Sequence, residues 1–138
     1  MVGKRIDNRE PAEVPSRSVS VPDQCVLWAQ AAGRCQFLGC NRPLWKSPVT
    51  QEPVNIAEKS HIYAFKPSGA RGNDGIKPTE LNRVGNLMLV CHDCHRKIDK
   101  APDGGRYTVE LLRAWKRQHE ERIERVTGIS PEMSSRRM

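Results

Sequence analysis

Two pairs of closely spaced cysteines constrain the fold of this chain more than any other feature of its sequence. The first pair is Cys35 and Cys40, and the second is Cys91 and Cys94. Two thiolates a few residues apart on a turn can share one Zn²⁺, and two such turns complete a tetrahedral site of four thiolates. Because fifty residues separate Cys40 from Cys91, the metal would close a long loop and so restrain the unfolded chain strongly. We therefore expect a structural zinc site.

The alternatives to zinc are two disulfides or four unrelated buried thiols. Disulfides are typical of secreted domains, but Met1–Ser20 lacks the charged segment followed by an apolar segment that directs secretion. The total of five cysteines is also odd. A reducing compartment fits these observations better, so we expect a cytoplasmic protein. Cys25 is the remaining cysteine, and its place in a helix-like run predicts a small buried apolar side chain.

Length and charge bound the class of protein. A chain of 138 residues has room for one domain. Its aromatic content of 5% and its mean hydropathy of -0.66 indicate a thin core, and small domains of this kind often need a metal to be stable. The net charge of +7 points to a polyanionic partner. No apolar run approaches the roughly 18 residues that span a bilayer, so we expect no membrane association.

Helix, strand and turn signals divide the chain into an arm, one domain and a tail. Residues 1–22 carry charges and three prolines without periodicity, which is typical of an arm. The domain is expected over residues 23–127, and residues 128–138 would be a tail or a linker. The predicted elements are a helix over Asp23–Ala32 with Asp23 as N-cap and Gly33 after its end, a strand over Val54–Phe65, a short apolar run at Asn86–Val90, and a helix starting at Cys91.

The last predicted element is a helix from about Thr108 to Thr127. Thr108 is a good N-cap, and Gly128 follows the end. An apolar stripe at helical spacing is predicted to pack in the core, and it consists of Leu111, Leu112, Trp115, Ile123 and Val126. His119 lies among charged side chains, so we expect a solvated or packed histidine rather than a ligand.

Three further residues follow a fixed order along the chain: His61, Asn86 and His95. With their neighbours they resemble the HNH, or His-Me finger, nucleases, and the matching pieces are Arg34–Cys40, Ser60–Ile62, Asn86–Val90 and Cys91–His95. The resemblance covers roughly residues 35–99. It implies an α+β fold, namely a small zinc-stapled ββα-metal domain that is similar to a treble clef and has flanking helices.

The same resemblance implies a role for each of the three residues. His61 would be the general base, Asn86 would orient the strand–loop and the base, and His95 would bind the catalytic divalent cation, Mg²⁺ or Mn²⁺. The anionic oxygens of a phosphodiester repel a nucleophile, so a cutting enzyme needs an activated water and a positive centre. Imidazole, with a reference pKa of about 6.5, accepts a proton at neutral pH, and a hard cation suits phosphate oxygens. The chemistry therefore agrees with these roles.

One position departs from the family pattern. Many members carry an aspartate just before the first histidine as a second metal ligand, whereas this chain has Ser60, with Glu58 further back. We therefore expect the cation to depend on His95, waters and the substrate. His92 lies inside the second cysteine pair, and we expect the turn to point it outward, away from catalysis.

Contacts with DNA phosphates are expected from three basic residues. Lys66 and Arg71 lie on a loop that is rich in glycine and proline, and Arg96 lies beside His95. Guanidinium groups suit phosphate oxygens, and a loop of this composition can follow a duplex.

A narrower resemblance concerns the segments around the two histidines. The pieces His61–Phe65, Pro67–Gly72 and Cys94–Asp99 are similar to the HNH domain fused to a SAVED domain in antiphage systems signalled by cyclic oligonucleotides (CBASS). That resemblance implies a SAVED-type sensor domain in the same polypeptide, activation by a cyclic oligonucleotide, homo-oligomerisation on activation, and degradation of double-stranded DNA. The chain ends where such a sensor would begin, which predicts an isolated effector domain.

Two classes of function remain. The first is a metal-dependent DNA endonuclease with weak sequence preference, since the chain has no helix of the kind that reads base edges. The second is a non-catalytic zinc module that contacts nucleic acid or another protein. A pure zinc scaffold does not need His61, Asn86 and His95 together, so the sequence favours the endonuclease.

Overall fold

The computed structural model describes residues 18–64, 75–99 and 106–129. Within these ranges the chain forms helices α1 (Val21–Ala31), α2 (His92–Asp99) and α3 (Val109–Thr127), strands β1 (Glu58–His61) and β2 (Leu87–Val90), and 3₁₀ helices at Pro78–Glu80 and Val84–Asn86. A two-stranded sheet with flanking helices confirms the expected α+β class. None of the helices in the described ranges is long and apolar enough to cross a membrane.

Helix α1 begins two residues earlier than expected. Ser20 is the N-cap, because its hydroxyl oxygen accepts a hydrogen bond from the backbone N–H of Asp23. The assignment of Asp23 as N-cap is therefore wrong. Asp23 lies in the first turn, where its carboxylate accepts from the Ser20 hydroxyl at 2.8 Å and faces the positive end of the helix. The helix thus includes the last two residues of the predicted arm, and residues 1–17 lie outside the described ranges.

The far end of α1 turns through the left-handed region. Ala32 has a φ of 54° and Gly33 a φ of 66°, so the predicted glycine does follow the helix. The helix buries Leu27 and Ala31, four residues apart, while Cys25 is exposed. The expectation that Cys25 is buried is wrong, because a residue two positions from Leu27 lies on the other side of the helix.

The strand that carries His61 is shorter than expected. It pairs with β2 in antiparallel fashion, with His61 opposite Leu87. The residues before β1 bond elsewhere, since the backbone N–H of Ile56 donates to the carbonyl of Leu44 at 2.9 Å. The predicted strand over Val54–Phe65 is therefore wrong in its first four residues and again after His61, where residues 62–64 are not strand, and its last residue lies outside the described ranges.

The other edge of β2 is covered by the first cysteine turn. The backbone N–H and C=O of Leu89 bond to the side-chain oxygen and the backbone N–H of Gln36, at 2.9 and 2.8 Å. Gln36 is only 1% exposed, and its Nε2 donates to the carboxylate of Glu120 on α3 at 3.0 Å. One buried side chain therefore ties the cysteine turn, the sheet and the last helix together.

Strand β2 lies at the centre of the core and is buried along its whole length. Helix α1 packs against α3 and β2, and α2 packs against β1. The buried apolar side chains around β2 are Leu27, Ala31, Leu44, Ile62, Leu87, Met88, Leu89, Val90, Ile98 and Leu112. The packing of α2 on β1 places the helix that carries His95 beside the strand that carries His61.

Helix α3 begins after the predicted N-cap, because the Thr108 hydroxyl accepts a hydrogen bond from the backbone of the first turn. It buries Leu112, Lys116 and His119, so His119 is packed rather than solvated. Val126 belongs to the predicted apolar stripe but is 68% exposed. The stripe is therefore wrong at its end, where no described part of the core lies against the helix.

Candidate active site and metal centre

The four thiols of the two cysteine pairs converge. Their sulfur atoms all lie within 4.8 Å of one another, and the Sγ atoms of Cys40 and Cys91 are 4.0 Å apart. Zn–S bonds of about 2.3 Å in a tetrahedron place the sulfurs about 3.8 Å apart, so the cluster has the size of a zinc site. Within the described ranges no other group of three or more His, Cys, Asp or Glu side chains converges in this way. Cys35, Cys40, Cys91 and Cys94 could therefore bind one zinc ion.

The backbone of both turns is shaped around the sulfurs. Gly39 has a φ of 88° beside Cys40, which is the left-handed region that glycine adopts without strain. The N–H of Cys91 points at the Sγ of Cys35 at 3.4 Å, and the N–H of Cys94 points at the Sγ of Cys91 at 3.5 Å. Amide hydrogens in these positions favour the thiolate form that a metal needs.

Burial opposes the ionisation of the thiols. Desolvation raises the pKa of Cys35 to about 12 and also raises the pKa of Cys94. Burial acts on Cys91 in the same direction, but hydrogen bonds from Cys94 and the nearby Arg42 guanidinium outweigh it and lower the pKa of Cys91. A divalent cation would supply the positive charge that stabilises four buried thiolates. The donor set fits zinc, which prefers sulfur ligands.

His61 ends β1 and is half-buried. Its Nε2 lies 2.9 Å from the side-chain oxygen of Asn82, which precedes the second 3₁₀ helix. Reasoning from the sequence assigned the orientation of this imidazole to Asn86 and missed Asn82. An asparagine in a turn-rich segment carries no spacing signal, so no sequence pattern could have identified it.

Asn86 holds the turn that follows β1. Asn86 is only 2% exposed. The side-chain oxygen accepts from the N–H of Tyr63 at 2.8 Å, and Nδ2 donates to the carbonyls of Tyr63 and Leu81 at 3.2 and 3.0 Å. The backbone carbonyl of Asn86 accepts from the N–H of Ile62 at 2.9 Å. These contacts place Asn86 where it fixes the backbone just after His61.

His95 lies in the first turn of α2 with its ring between two carboxylates. Nδ1 is 2.5 Å from Oε1 of Glu58, and Nε2 is 3.0 Å from Oδ2 of Asp99. The hydrogen bonds with Asp99 and Glu58 raise the pKa of His95, against the lowering effect of burial. Glu58 also lies 2.8 Å from Nδ1 of His92, and its contacts with His95 and then His92 lower the pKa of Glu58.

Glu58 of β1 meets His95 of α2, the residue that the sequence indicated as a cation ligand. An imidazole nitrogen with carboxylate oxygens beside it is a donor set for hard divalent cations. Because Nδ1 and Nε2 point to different sides of the ring, one Mg²⁺ or Mn²⁺ could bind either Nδ1 together with Glu58 or Nε2 together with Asp99, but not both carboxylates at once. Ser60 is 1% exposed, and its hydroxyl has no hydrogen-bond partner among the described residues. Ser60 thus faces the interior and does not replace the aspartate that many HNH nucleases carry just before the first histidine.

The basic residues expected to contact DNA are only partly described. Arg96 is exposed on α2, next to His95. Lys66 and Arg71 lie outside the described ranges. His92 is exposed, as expected, and its described contact is the one with Glu58.

These elements define a small cysteine-clustered domain with one histidine on a strand and another on the following helix. Residues 35–101 match the sequence model of a family described as HNH endonuclease. The matched stretch contains the four clustered cysteines together with His61, Asn86 and His95. Over these residues, which are just under half of the chain, the sequence is similar to the HNH endonuclease family.

Among solved structures, the chain is similar to the Type IV phosphorothioation-dependent restriction endonuclease ScoMcrA. The TM-score is 0.51 and the sequence identity is 16%, over 84% of this chain and 23% of that chain. At this identity the similarity concerns the fold, and the chain spans less than a quarter of the length of that endonuclease. No curated protein matches this chain.

Proposed function

We propose that this protein is a metal-dependent endonuclease that hydrolyses the phosphodiester bonds of double-stranded DNA with weak sequence preference. The observation that carries the proposal is the contact between Glu58 of β1 and His95 of α2, because it joins the strand of His61 to the helix of a metal ligand. This contact lies inside the stretch that matches the HNH endonuclease family. The net charge of +7 suits a polyanion, and the fold is shared with a restriction endonuclease.

In this proposal His61 acts as the general base. Its imidazole accepts a proton from the water that attacks phosphorus, the bond between phosphorus and the 3′ oxygen breaks, and the leaving oxygen takes a proton from solvent. Asn86 keeps the backbone after β1 in place, so the imidazole stays within reach of the water. His95 and Glu58 would hold the divalent cation, Mg²⁺ or Mn²⁺. When bound, that cation supplies positive charge beside the phosphate and the leaving oxygen.

The cysteine cluster has a structural role in the proposal. Four thiolates complete a tetrahedral zinc shell and leave no open position for a substrate. Zinc at this site would fix β2, which ends at Val90 just before Cys91, and α2, which carries Cys94 and His95. Arg96, with Lys66 and Arg71, would contact the phosphate backbone.

We further propose a place for this domain in antiphage defence. The segments around His61 and His95 resemble the HNH domain of CBASS effectors, and a fold similar to that of this chain occurs within a much longer restriction endonuclease. In the longer protein, a SAVED-type domain would bind a cyclic oligonucleotide in the cytoplasm, and homo-oligomerisation would switch on DNA degradation. The test is plasmid cleavage by the longer natural form with each of a panel of cyclic oligonucleotides, with light scattering to follow assembly. Equal cleavage without any of them would contradict this part.

Plasmid cleavage by histidine variants tests the nuclease itself. His61→Ala should keep its zinc and its circular dichroism spectrum but lose about 10² to 10⁴ in rate, the usual range for a general base. His95→Ala should regain part of its activity as Mg²⁺ or Mn²⁺ is raised, whereas His61→Ala should not. His92→Ala is the matched control, since this exposed histidine touches the same carboxylate and should retain activity. Full activity in a well-folded His61→Ala protein would exclude the HNH mechanism and leave the non-catalytic zinc module.

Cation binding separates the ligands from the base without reference to cleavage. Calorimetric titration of the zinc-loaded protein with Mn²⁺ should give weaker binding for His95→Ala and Glu58→Gln and unchanged binding for His61→Ala. Glu58→Gln keeps the shape of the side chain but loses the charge that a hard cation needs. Parent-like Mn²⁺ affinity in both His95→Ala and Glu58→Gln would remove these two residues from the cation site.

A further inference from the structure

The contact between His61 and Asn82 assigns a side chain to the general base that the HNH pattern does not include. Nε2 of His61 lies 2.9 Å from Oδ1 of Asn82. An amide oxygen can only accept a hydrogen bond, so Nε2 must carry the hydrogen. In a neutral imidazole the lone pair then belongs to Nδ1.

We propose that Asn82 is a positioning residue for the general base. Its side-chain oxygen holds His61 in the tautomer with the hydrogen on Nε2, so that Nδ1 presents the lone pair that takes the proton from water. The inference rests on the proposed function, in which His61 is the base. Two asparagines would then orient the general base: Asn82 holds the imidazole, and Asn86 holds the backbone that follows it.

The neighbours of Asn82 fix it on both sides. Leu81 is 2% exposed, and its carbonyl accepts from Nδ2 of Asn86 at 3.0 Å. On the other side, Nε of Arg83 lies 3.1 Å from the carboxylate of Asp23. The carboxylate also accepts from the N–H of Val84 at 3.2 Å. The backbone that carries Asn82 is thus tied to the core and to α1, and an anchored backbone lets a short side chain set the angle of an imidazole.

Substitutions that keep or remove the oxygen test the proposal. Asn82→Leu has a similar size but no acceptor, and we expect kcat to fall about 10- to 100-fold, the range usual for an orienting partner, with KM for plasmid unchanged. Asn82→Asp keeps an oxygen at the same place and should recover most of kcat. Asn55→Leu is the matched control, because the exposed Asn55 accepts only from the N–H of Ala57 among its described contacts. Its kcat should stay at the parent value.

Nitrogen NMR of the imidazole gives a readout that does not depend on cleavage. In ¹⁵N-labelled protein, the His61 signals are identified by their loss in His61→Gln. We expect the parent and Asn82→Asp to show Nε2 protonated and Nδ1 unprotonated at pH 8, and Asn82→Leu to show a mixture of tautomers. A predominantly Nδ1-protonated ring in the parent would overturn the proposal whatever the activity is.

The cleavage assays have three other outcomes that would refute either the role of Asn82 or the proposed function. Parent-like kcat in Asn82→Leu would overturn the proposal. So would equal loss in Asn82→Leu and Asn82→Asp with an unchanged tautomer, because the residue would then act only through folding. A parent protein that cleaves no DNA in any metal would refute the proposed function, while the tautomer measurement would still show whether Asn82 sets the state of His61.

Discussion

Replacement of Asn86 by aspartate should destabilise the domain more than replacement by alanine, although aspartate is the closer match in shape. Nδ2 of Asn86 donates to the carbonyl oxygens of Tyr63 and Leu81 at 3.2 and 3.0 Å. In Asn86→Asp a carboxylate oxygen would face the same two carbonyl oxygens, in a residue that is 2% exposed. Alanine removes the donor without adding a charge. The order of the two variants therefore tests the contacts that hold the turn after His61.

The expected losses of stability follow from the polar groups that each substitution leaves without a partner. Asn86→Ala deprives three backbone groups of a partner, and an unpaired buried polar group costs about 1–3 kcal/mol. Because Tyr63 is half-buried and its groups can reach water, we expect a total of about 2–3 kcal/mol. In Asn86→Asp, burial and the two carbonyls should raise the pKa of the new carboxyl. A rise of about three units corresponds to about 4 kcal/mol at neutral pH. The neutral acid keeps one O–H donor, so this loss should be small near the reference pKa of about 4.

Proton linkage determines whether the stability of Asn86→Asp rises or falls with pH. The new carboxyl would be protonated in the folded state and ionised in the unfolded state between about pH 4 and its raised pKa, so the stability of Asn86→Asp relative to the parent falls as pH rises through this window. Urea unfolding of the zinc-loaded proteins at pH 5.5 and 8, with each variant compared with the parent at the same pH, measures the difference. Asn55→Asp, an exposed control, should match the parent at both values. If Asn86→Asp were as stable as Asn86→Ala at pH 8, the donor geometry would be refuted.

Four other predictions concern the metal, the core and the DNA surface. A chelator that removes zinc should unfold the domain, because structural zinc contributes about 10–16 kcal/mol and small domains have about 5–15 kcal/mol in total; elemental analysis with circular dichroism checks this, and a cooperatively folded zinc-free protein would contradict it. The Nε2 atom of His119 lies 2.9 Å from the Ala31 carbonyl, and burial lowers the pKa of this histidine. The contribution of His119 to the free energy of unfolding should therefore be complete above about pH 6.5 and be lost as pH falls through the folded-state pKa. In His119→Gln the free energy of unfolding should change less with pH over this range than in the parent, and equal slopes in the two proteins would contradict this prediction. Ser60→Ala removes a buried hydroxyl with no described partner, so urea unfolding should show equal or slightly higher stability; a loss above about 1 kcal/mol would reveal a partner. Arg96→Ala should weaken duplex binding and reduce the slope of log K against log salt by about 0.9, and an unchanged slope would exclude a phosphate contact.

The cysteine turns and the order of the site residues were predictable because their spacing is set by local chemistry. Two thiolates on one turn must lie a few residues apart to share a metal, and the sequence shows that spacing directly. Thr108 was predicted as an N-cap for the same reason, since a cap acts on the amide three residues later. At the other end of the chain, Asp23 resembled a cap in sequence, but Ser20 took that place. Both residue types suit the position, and their contacts with one another decide between them.

The side chains around the two histidines were not predictable because long-range contacts place them. Asn82 follows a segment rich in glycine and proline, and its contact with His61 spans twenty-one residues of sequence. The strand over Val54–Phe65 was predicted from β-branched and aromatic residues, yet Ile56 bonds to Leu44 instead of to β2. Propensity indicates where a strand can form, whereas the choice of partner depends on the rest of the fold.

The register of β1 on β2 links the candidate active site to the metal centre. Glu58 lies opposite Val90, the residue just before Cys91, and this places its carboxylate against the first turn of α2. A slip of one residue would bring Lys59 to that position and turn every side chain of the strand to the other face. A strand of four residues specifies its register weakly by itself, but β2 is fixed at one edge by Gln36 and at its end by the second cysteine turn. The cysteine cluster therefore determines which side chain of β1 meets His95, although none of its sulfurs belongs to the site where the phosphate would be cut.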